Sequence, residues 1–417
     1  MNAADPALSH HQHHLLHALQ AQADEFIAVR RDIHRHPELA YEELRTSDLV
    51  AAQLERFGYR VTRGLGGTGV VGQLVRGEGG RRLGLRADMD ALPIDEATGL
   101  PYASCHAGVM HACGHDGHTA MLLAAARHIA ASVPFCGTLN LIFQPAEEGQ
   151  GGAKKMMDDG LFRLFPCDAV FAMHNMPGFP QGHLVLRDGP FMASAESVTI
   201  TLEGRGGHGA APHRAADPVV AGAAIVMALQ TIVARNVDPQ DMAVITVGAF
   251  NAGAADNVIP QRATLKLSVR ALDREVRDLL QQRITALVHA QAQSFGVRAT
   301  IDYQRLYPVL VNHARETEFA RDVAEELVGA QRVTRQGRAL SGSEDFAFIL
   351  EQVPGSYLLI GNGDGAGDGH GACMVHNPGY DFNDANIALG SAFWALLTER
   401  FLPADAPVDA QAAARSL

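Results

Sequence analysis

Short β-rich runs alternate with helical patterns over most of the chain, and this alternation restricts the fold more than any other feature of the sequence. Apolar and β-branched residues fill four short segments, and a helical pattern separates the second from the third. The four runs are Gly69–Val75, Arg82–Ala87, Thr138–Phe143 and Ala169–Met173, and the helical pattern covers His118–Ser132. Such alternation is typical of a mostly parallel sheet with helices on both faces. We therefore predict an α/β fold.

A segment of different texture interrupts this pattern. From about Ser194 the order of elements becomes βαββαβ, which favours a small α+β unit. Its predicted strands are Ser197–Leu202, Ala243–Phe250, Ala263–Ala271 and Arg298–Tyr303, and its predicted helices are Asp217–Ala234 and Glu275–Phe295. The α/β texture returns after Pro308. We predict a main domain in two parts, 20–193 and 308–402, interrupted by an inserted domain at 194–307, with flexible ends at 1–19 and 403–417.

Charge and apolar content exclude several classes of protein. The chain carries 34 Lys and Arg against 46 Asp and Glu, a formal net charge of −12, and no basic patch offsets it, so we expect no nucleic-acid or membrane-surface binding. The stretch Val219–Val233 contains Gly and Gln and is shorter than the roughly 20 apolar residues of a membrane span. No signal-peptide pattern is recognised. Five cysteines without a C-x-x-C pair indicate a reducing compartment, so we predict a cytoplasmic protein.

The segment HACGHDGH, residues 111–118, is the strongest chemical signal in the sequence. Cys113 and His115 lie two positions apart in a Gly-flanked loop, which can turn both side chains toward one point. Thiolate and imidazole together suit a transition metal ion. A lone Cys or His usually fills space in a core, but four such groups within eight residues favour a metal site. The run HHQHH at 10–14 is interpreted instead as part of a solvated leader.

A pair of adjacent carboxylates follows the predicted strand Thr138–Phe143. They lie in QPAEEG, where Pro145 ends the strand and places Glu147 and Glu148 at its carboxyl end. Adjacent carboxylates repel each other in a dry site. That repulsion is relieved when one carboxylate coordinates a cation and the other accepts a proton. The sequence therefore predicts a metal ligand and a general base side by side, although an isolated Glu-Glu pair is usually only a solvated surface.

Ligand-type residues follow several further strands or lie in loops. Asp88 and Asp90 follow the run Arg82–Ala87, His174 follows Met173, and His376 lies in a loop near the end of the chain. In an open α/β sheet, sites form outside the carboxyl ends of the strands, so these side chains can converge on one crevice. Such convergence is what a two-metal hydrolase requires.

The order and spacing of these motifs resemble a known family. HACGHDGH, QPAEEG, M-H-N at 173–175, G-G-H with P-H at 206–213, N-V-I-P at 257–260 and H-N-P-x-Y-D-F-N-D from His376 are similar to the aminoacylase, hippurate hydrolase and auxin-conjugate amidohydrolase family of dimetal metallopeptidases. The resemblance implies hydrolysis of the amide bond of small N-acyl amino acids. It also implies two divalent metal ions, a catalytic domain, and a ferredoxin-like inserted lid that mediates homodimerisation.

The resemblance also implies roles for individual residues. Glu147 matches the general base, and Asp90 matches an acid that orients a neighbouring ligand. Asp88 stands where wider relatives have a His, and Cys113 stands where they have a bridging Asp. The residues that match metal ligands are Cys113, His115, Glu148, His174 and His376, with Cys113 as the bridge. The donor set does not distinguish Zn from Mn, Co or Ni.

Three residues of the inserted domain match family positions more weakly. His208 resembles a His that reaches the neighbouring subunit's site and donates a hydrogen bond to the developing oxyanion. Arg270 matches an arginine associated with the substrate carboxylate, a group that its forked guanidinium suits. Asn257 is a substrate-binding candidate, although Asn before Val-Ile-Pro also forms plain turns. The alternative for His208 is an ordinary histidine of a surface loop, and the alternative for Arg270 is an ordinary salt bridge at the end of a strand.

Two other functions remain open from the sequence alone. The same metals could serve a dipeptidase or carboxypeptidase, because the shape of the substrate pocket is not visible in one sequence. The chain could also be a metal-binding protein without turnover. Glu147 argues against that second alternative, since a base is not needed to hold a metal.

Overall fold

The computed structural model describes residues 10–366 and 371–404. These residues form two compact units. The first comprises 10–189, 312–338 and 348–404, and the second comprises 190–311 and 339–347. The predicted inserted segment, 194–307, lies within the second unit, which also includes the later segment Ala339–Ala347.

The α-helices are numbered in chain order. They are α1 His10–Arg35, α2 Leu44–Arg56, α3 His115–Ser132, α4 Glu147–Gln150, α5 Gly152–Asp158, α6 Leu161–Leu164, α7 Pro218–Asn236, α8 Arg274–Ser294, α9 Ala314–Val328, α10 Phe346–Leu350 and α11 Asn386–Phe401.

The strands are numbered in the same way. They are β1 Arg60–Leu65, β2 Gly69–Arg76, β3 Arg82–Asp88, β4 Gly137–Gln144, β5 Ala169–Pro177, β6 Leu184–Val185, β7 Gly189–Met192, β8 Ala195–Glu203, β9 Gly207–His208, β10 Ala243–Ala252, β11 Val258–Ile259, β12 Arg262–Ala271, β13 Arg298–Tyr307, β14 Leu310–Asn312, β15 Val333–Thr334 and β16 Gly355–Gly363.

An eight-stranded sheet forms the centre of the first unit, in the order β1-β2-β4-β3-β5-β16-β6-β15. The middle of the sheet is parallel: β3 pairs with β4 and β5, and β5 pairs with β16. The pairs β1–β2, β2–β4 and β16–β6 are antiparallel. Since β6 and β15 are also parallel, four of the seven neighbouring pairs are parallel, a small majority as predicted. The antiparallel pairs arise because β1 and β2 form a hairpin, β2 runs opposite to β4, and β6 runs opposite to β16.

Residues on alternate sides of the strands pack into different clusters. Val70 and Leu141 belong to the main core, which also contains residues of α1, α3 and α11. Their neighbours Val71 and Ile142 point to the other face and pack with Met156 of α5. This period of two along fully buried strands is expected when helices cover both faces of a sheet.

The start of α1 corrects one expectation. Residues 10–19, predicted to be flexible, form the first turns of this helix. Leu15, Leu19, Ala23 and Phe26 are buried in the main core, and their spacing of three to four residues continues the apolar side of the helix toward its N-terminus. The prediction for residues 1–9 and 405–417 lies outside the described residues.

The second unit contains the predicted βαββαβ order as β8, α7, β10, β12, α8 and β13. Its four strands form an antiparallel sheet in the order β10-β12-β8-β13. Side chains alternate between buried and exposed along β12, and α7 and α8 pack together on the sheet. One face is therefore covered by helices.

Helix α7 is long and apolar enough to cross a membrane by length and composition, whereas the sequence prediction treated this stretch as too short. Its buried residues include Ala221, Ile225 and Leu229, which pack in the core of the second unit. Other apolar residues are exposed, and the Met227 side chain is 70% exposed. The apolar residues of α7 are thus divided between the core and the surface.

Candidate metal centre

The candidate site lies at the carboxyl edge of the parallel strands in the first unit. Asp88 ends β3, and Glu147 follows β4. His174 lies in the second half of β5, and His115 is the first residue of α3. Because β3 runs parallel to both β4 and β5, these carboxyl ends meet at one edge of the sheet.

The predicted ligands come together in this place. Three groups of potential ligand atoms each lie within 4.8 Å of one another: Cys113, His115 and His174; Cys113, Glu148 and His376; and His115, Glu147 and Glu148. Cys113 Sγ is 3.3 Å from His174 Nε2. Since Cys113 belongs to two groups that otherwise share no member, its sulfur lies between two potential ion positions.

Glycine at position 114 allows two ligands to flank one tight turn. Gly114 has φ = +87°, a left-handed conformation that a side chain disfavours. A Cβ there would also lie 2.3 Å from Asn175 Nδ2 and 2.5 Å from the Tyr380 hydroxyl. Left-handed backbone recurs at two non-glycine residues of this site, Ala146 and His376, and such strain is common at functional sites.

One buried nitrogen of the site, His115 Nε2, lacks a hydrogen-bond partner among the described residues, whereas Glu148 Oε1 lies 3.1 Å from His376 Nε2. The other ring nitrogen of His115, Nδ1, is 3.2 Å from Asp90 Oδ1. A proton on Nδ1 donated to Asp90 leaves the lone pair on Nε2 for a metal ion. A metal cation would satisfy His115 Nε2, so the residues fit a metal site.

The electrostatics of the site also favour a cation. Burial raises the pKa of the Cys113 thiol well above its usual value, and the charges of Glu148 and Glu147 raise it further. A thiolate therefore requires a nearby positive charge. Burial, followed by the proximity of His118, lowers the pKa of His174 and keeps its imidazole neutral, as metal ligation requires.

The structure distinguishes the histidines of HACGHDGH. His118 lies near Asp88 and His115 in a further group of potential ligands, but both of its ring nitrogens are engaged. Nδ1 is 2.6 Å from Asp88 Oδ1, and Nε2 accepts a hydrogen bond from the Asn175 backbone N–H. Asp88 in turn accepts a hydrogen bond from Arg86. His118 and Asp88 are therefore interpreted as residues that hold neighbouring parts of the site in place, not as metal ligands.

His111 belongs to none of the ligand groups. It is buried, and neither ring nitrogen has a hydrogen-bond partner among the described residues. Burial lowers the pKa of His111 to about 4, so the imidazole is neutral at physiological pH.

Sequence reasoning missed two sets of supporting residues. The side-chain amide of Asn175 donates to the Cys113 carbonyl oxygen and accepts from the Tyr380 hydroxyl. Asn175 therefore joins the loop that carries Cys113 to the loop that carries His376. Its position next to His174 was the available signal.

The second set of supporting residues surrounds the buried guanidinium group of Arg30. Arg30 is fully buried and donates to Asp116, Asp381 and Asp384. Asp116 directly follows His115, and the two other carboxylates lie in the loop after His376. Arg30 thus links α1 to two of the chain segments that supply proposed ligands, the one with His115 and the one with His376.

The second unit contains the three remaining predicted residues. His208 and Asn257 are exposed and adjacent: β9 pairs with β11, and the Gly209 N–H donates to the Asn257 carbonyl oxygen. Arg270 lies on β12, is half-buried, and donates to the Ser343 hydroxyl oxygen at 2.6 Å.

Comparisons with known proteins give a consistent result. The sequence profile described as Peptidase family M20/M25/M40 matches residues 84–400. The chain is 47% identical over 378 residues to hippurate hydrolase of Campylobacter jejuni, covering 91% of this chain and 97% of that protein. It is 38% identical to N-acetyl-L-cysteine deacetylase of Bacillus subtilis, covering 91% and 88% of the two chains.

Solved structures show the same relationship. A Bacillus subtilis protein described as a dinuclear metal-binding peptidase of the M20 family superposes with a TM-score of 0.77 at 30% identity, covering 92% of this chain and 99% of that chain. The resemblance inferred from the motifs is confirmed, and the chain belongs to peptidase family M20/M25/M40.

Proposed function

We propose that this protein hydrolyses the amide bond of N-acyl amino acids that keep a free α-carboxylate, releasing a carboxylic acid and an amino acid. The observation that carries this proposal is the group of His115, Glu147 and Glu148, of which the first two are buried, beside Cys113. Of its two carboxylates, only Glu148 belongs to the predicted ligand set, so Glu147 remains available as a base. A similarity of 47% identity to a hippurate hydrolase, whose name denotes an N-acyl amino acid substrate, supports the substrate class.

The proposed ligands are Cys113, His115, Glu148, His174 and His376. Two divalent ions held there would polarise the amide carbonyl and lower the pKa of a water molecule. Asp90 holds the His115 ring with Nε2 toward the site. The thiolate favours zinc, while imidazole and carboxylate ligands also accept manganese, cobalt or nickel.

Glu147 is the proposed general base. It takes a proton from the attacking water and returns it to the amide nitrogen, so that the amino acid leaves as an amine. Its burial, at 7% exposure, keeps competing solvent away from the carboxylate. The role needs no covalent bond between protein and substrate.

A substrate comparison tests the proposal. Purified protein, loaded separately with Zn, Mn, Co or Ni, is assayed with N-benzoylglycine, N-benzoylglycinamide and glycylglycine. We expect release of glycine from the N-acyl amino acid, weaker hydrolysis of the amide, and little action on the dipeptide. Preferred hydrolysis of the dipeptide would support the peptidase alternative. Metal binding without turnover on any substrate would support the non-catalytic alternative.

We further propose that the segment 194–307 acts as the ferredoxin-like lid and dimerisation domain of a catalytic domain formed by 20–193 and 308–402. The strand order supports the ferredoxin-like topology, and β10 is an edge strand of its sheet. Val220 and Met227 on α7 are exposed, and Gly222 of the same helix packs against Phe250 of β10. An exposed apolar surface beside an open strand edge favours pairing with a second copy.

In such a dimer we expect His208 to serve the neighbouring subunit's site. His208→Ala and Glu147→Gln homodimers should each be nearly inactive. A hybrid of the two should regain one good site, because one subunit supplies the base and the other the imidazole. Activity of separated hybrids, with dimer content checked by light scattering, measures this. Inactive hybrids would place His208 in its own subunit's site or outside catalysis.

Cytoplasmic location stays a prediction, which the free cysteines support.

A further inference from the structure

The loop that carries Glu147, residues 146–150 and here called the base loop, has an irregular backbone. Helix α4 within it spans only four residues, and Glu148 and Gly149 have non-helical dihedral angles. Ala146, directly before the proposed base, has φ = +53°, a left-handed conformation that is strained for a residue with a side chain. The position of Glu147 therefore depends on contacts from outside the base loop.

Two buried carboxylates accept hydrogen bonds from the base loop, one on each side of Glu147. The Ala146 N–H donates to Glu43 Oε1 at 2.9 Å. The Glu148 N–H donates to Asp90 Oδ2 at 2.9 Å. The family resemblance already gave Asp90 an orienting role, whereas it gave none to Glu43. The proposed base thus lies between two peptide groups that are each anchored on a carboxylate.

Glu43 is itself held firmly. It is fully buried and directly precedes α2. Its second oxygen, Oε2, accepts a hydrogen bond from the Thr68 hydroxyl at 2.5 Å. Burial raises the pKa of Glu43, and the hydrogen bond from Thr68 opposes this shift. A buried carboxyl group is costly unless donors satisfy it, and here a donor contacts each of the two oxygens.

The connection between α1 and α2, residues 36–43, reaches the base loop at two points. Besides the contact of Glu43 at its start, the Tyr41 hydroxyl donates to the Gln150 carbonyl oxygen at its end, at 2.9 Å. The same connection pairs through its backbone with Ala91, the residue after Asp90. It therefore joins both ends of the base loop to the chain segment that carries the other anchoring carboxylate.

We propose that Glu43 is a positioning residue for the proposed base, because its carboxyl group fixes the backbone at Ala146 and so keeps the Glu147 carboxylate near His115 and Glu148. This inference rests on the function proposed above. Glu43 takes no part in proton transfer. Its effect is geometric, since a displacement of about 1 Å of a reacting group can cost about 10²-fold in rate.

Steady-state kinetics of metal-loaded variants on N-benzoylglycine test this role. Glu43→Ala removes the acceptor, so we expect kcat to fall about 10-fold or more, with a much smaller change in KM and an unchanged metal content. Glu43→Gln keeps an oxygen for the Ala146 N–H and can donate to the Thr68 hydroxyl oxygen, so it should retain most of kcat. Thr68→Val, used if Glu43→Ala fails to fold, should lower kcat in the same way but by less.

Glu38→Ala is the matched control for loss of structure. Glu38 lies in the same connection, and its carboxylate accepts from the backbone N–H groups of Arg45 and Thr46. These groups belong to α2 rather than to the base loop. Glu38→Ala should therefore lower the melting temperature and leave kcat unchanged. An equal loss of kcat in Glu38→Ala and Glu43→Ala would overturn the positioning role.

Hydrogen–deuterium exchange, followed by mass spectrometry, provides a readout that does not depend on turnover. Peptides that contain residues 143–150 should exchange faster in Glu43→Ala than in the wild type, Glu43→Gln or Glu38→Ala. Unchanged exchange there, or an unchanged kcat in Glu43→Ala when the wild type is active, overturns the positioning role alone. A wild type that hydrolyses no N-acyl amino acid overturns the proposed function and this inference with it.

Discussion

Glu147→Gln is expected to lower turnover by about 10²-fold or more while leaving the content of divalent metal nearly unchanged. The glutamine amide keeps the size of the side chain but cannot accept and return a proton. Glu148→Gln is the matched variant, one position along the same loop. It should lose metal as well as activity, because it removes the charge of a proposed ligand that lies with Cys113 and His376. Metal content by mass spectrometry and kcat on N-benzoylglycine measure the two effects.

The pair of variants separates two roles that a single activity assay would merge. If Glu147→Gln lost the metal and Glu148→Gln retained it, the assignment of ligand and base would be reversed. If both retained metal and activity, neither carboxylate would serve the reaction. Excess metal in the assay provides a further control, since it should restore part of the activity of Glu148→Gln and none of that of Glu147→Gln.

Arg30→Ala is expected to lower the free energy of unfolding by about 3–5 kcal/mol. Arg30 is fully buried and contacts Asp116, which is itself fully buried. Removing the guanidinium leaves that carboxylate charged and desolvated, and it also breaks the links to Asp381 and Asp384. Denaturant unfolding of the metal-loaded protein, followed by circular dichroism, gives the change.

The neighbouring Arg31 is a close control. Both guanidinium groups pair with Asp384 and both lie over the Tyr102 ring, at 4.6 Å for Arg30 and 4.5 Å for Arg31. The Arg31 side chain is 46% exposed, however, against 0% for Arg30. Exposed ion pairs contribute at most about 1 kcal/mol, so Arg31→Ala should have a small effect. Equal losses from the two variants would show that burial of Arg30 is not the cause.

Local periodicity was sufficient to predict most of the longer elements. The six elements of the βαββαβ segment were all predicted, because each has a clear repeat of two or of three to four residues. The short β1, at Arg60–Leu65, was not predicted: it has one buried residue, Leu65, so its pattern carries no strong alternation. The upstream turns of α1 were missed because the cluster of histidines obscured the apolar spacing of Leu15 and Leu19.

The proposed ligands could be predicted to converge because each follows a strand, opens a helix or lies in a motif loop. Apart from Asp90, which the family resemblance supplied, the residues that support the ligands could not be predicted, since they join positions far apart in the chain. Arg30 and Asp384 are 354 positions apart, and Asn175 and Tyr380 are 205 apart. Spacing alone could not separate His115 from His118 within one motif, and it was the family resemblance that selected His115. Only packing shows that His118 has both nitrogens engaged while His115 presents Nε2 to the site.

The placement of β16 beside β5 has a consequence for how the protein is made. These two strands are neighbours in the middle of the sheet, yet residues 178–354 separate them in the chain. Translation of that interval takes roughly 10 to 35 s. During this time the nascent chain already carries Cys113, His115 and His174 but lacks both the strand that pairs with β5 and the His376 side chain. The full set of proposed ligands is therefore complete only late in synthesis, and a chain released early would display an unpaired apolar strand together with an incomplete, thiol-containing site.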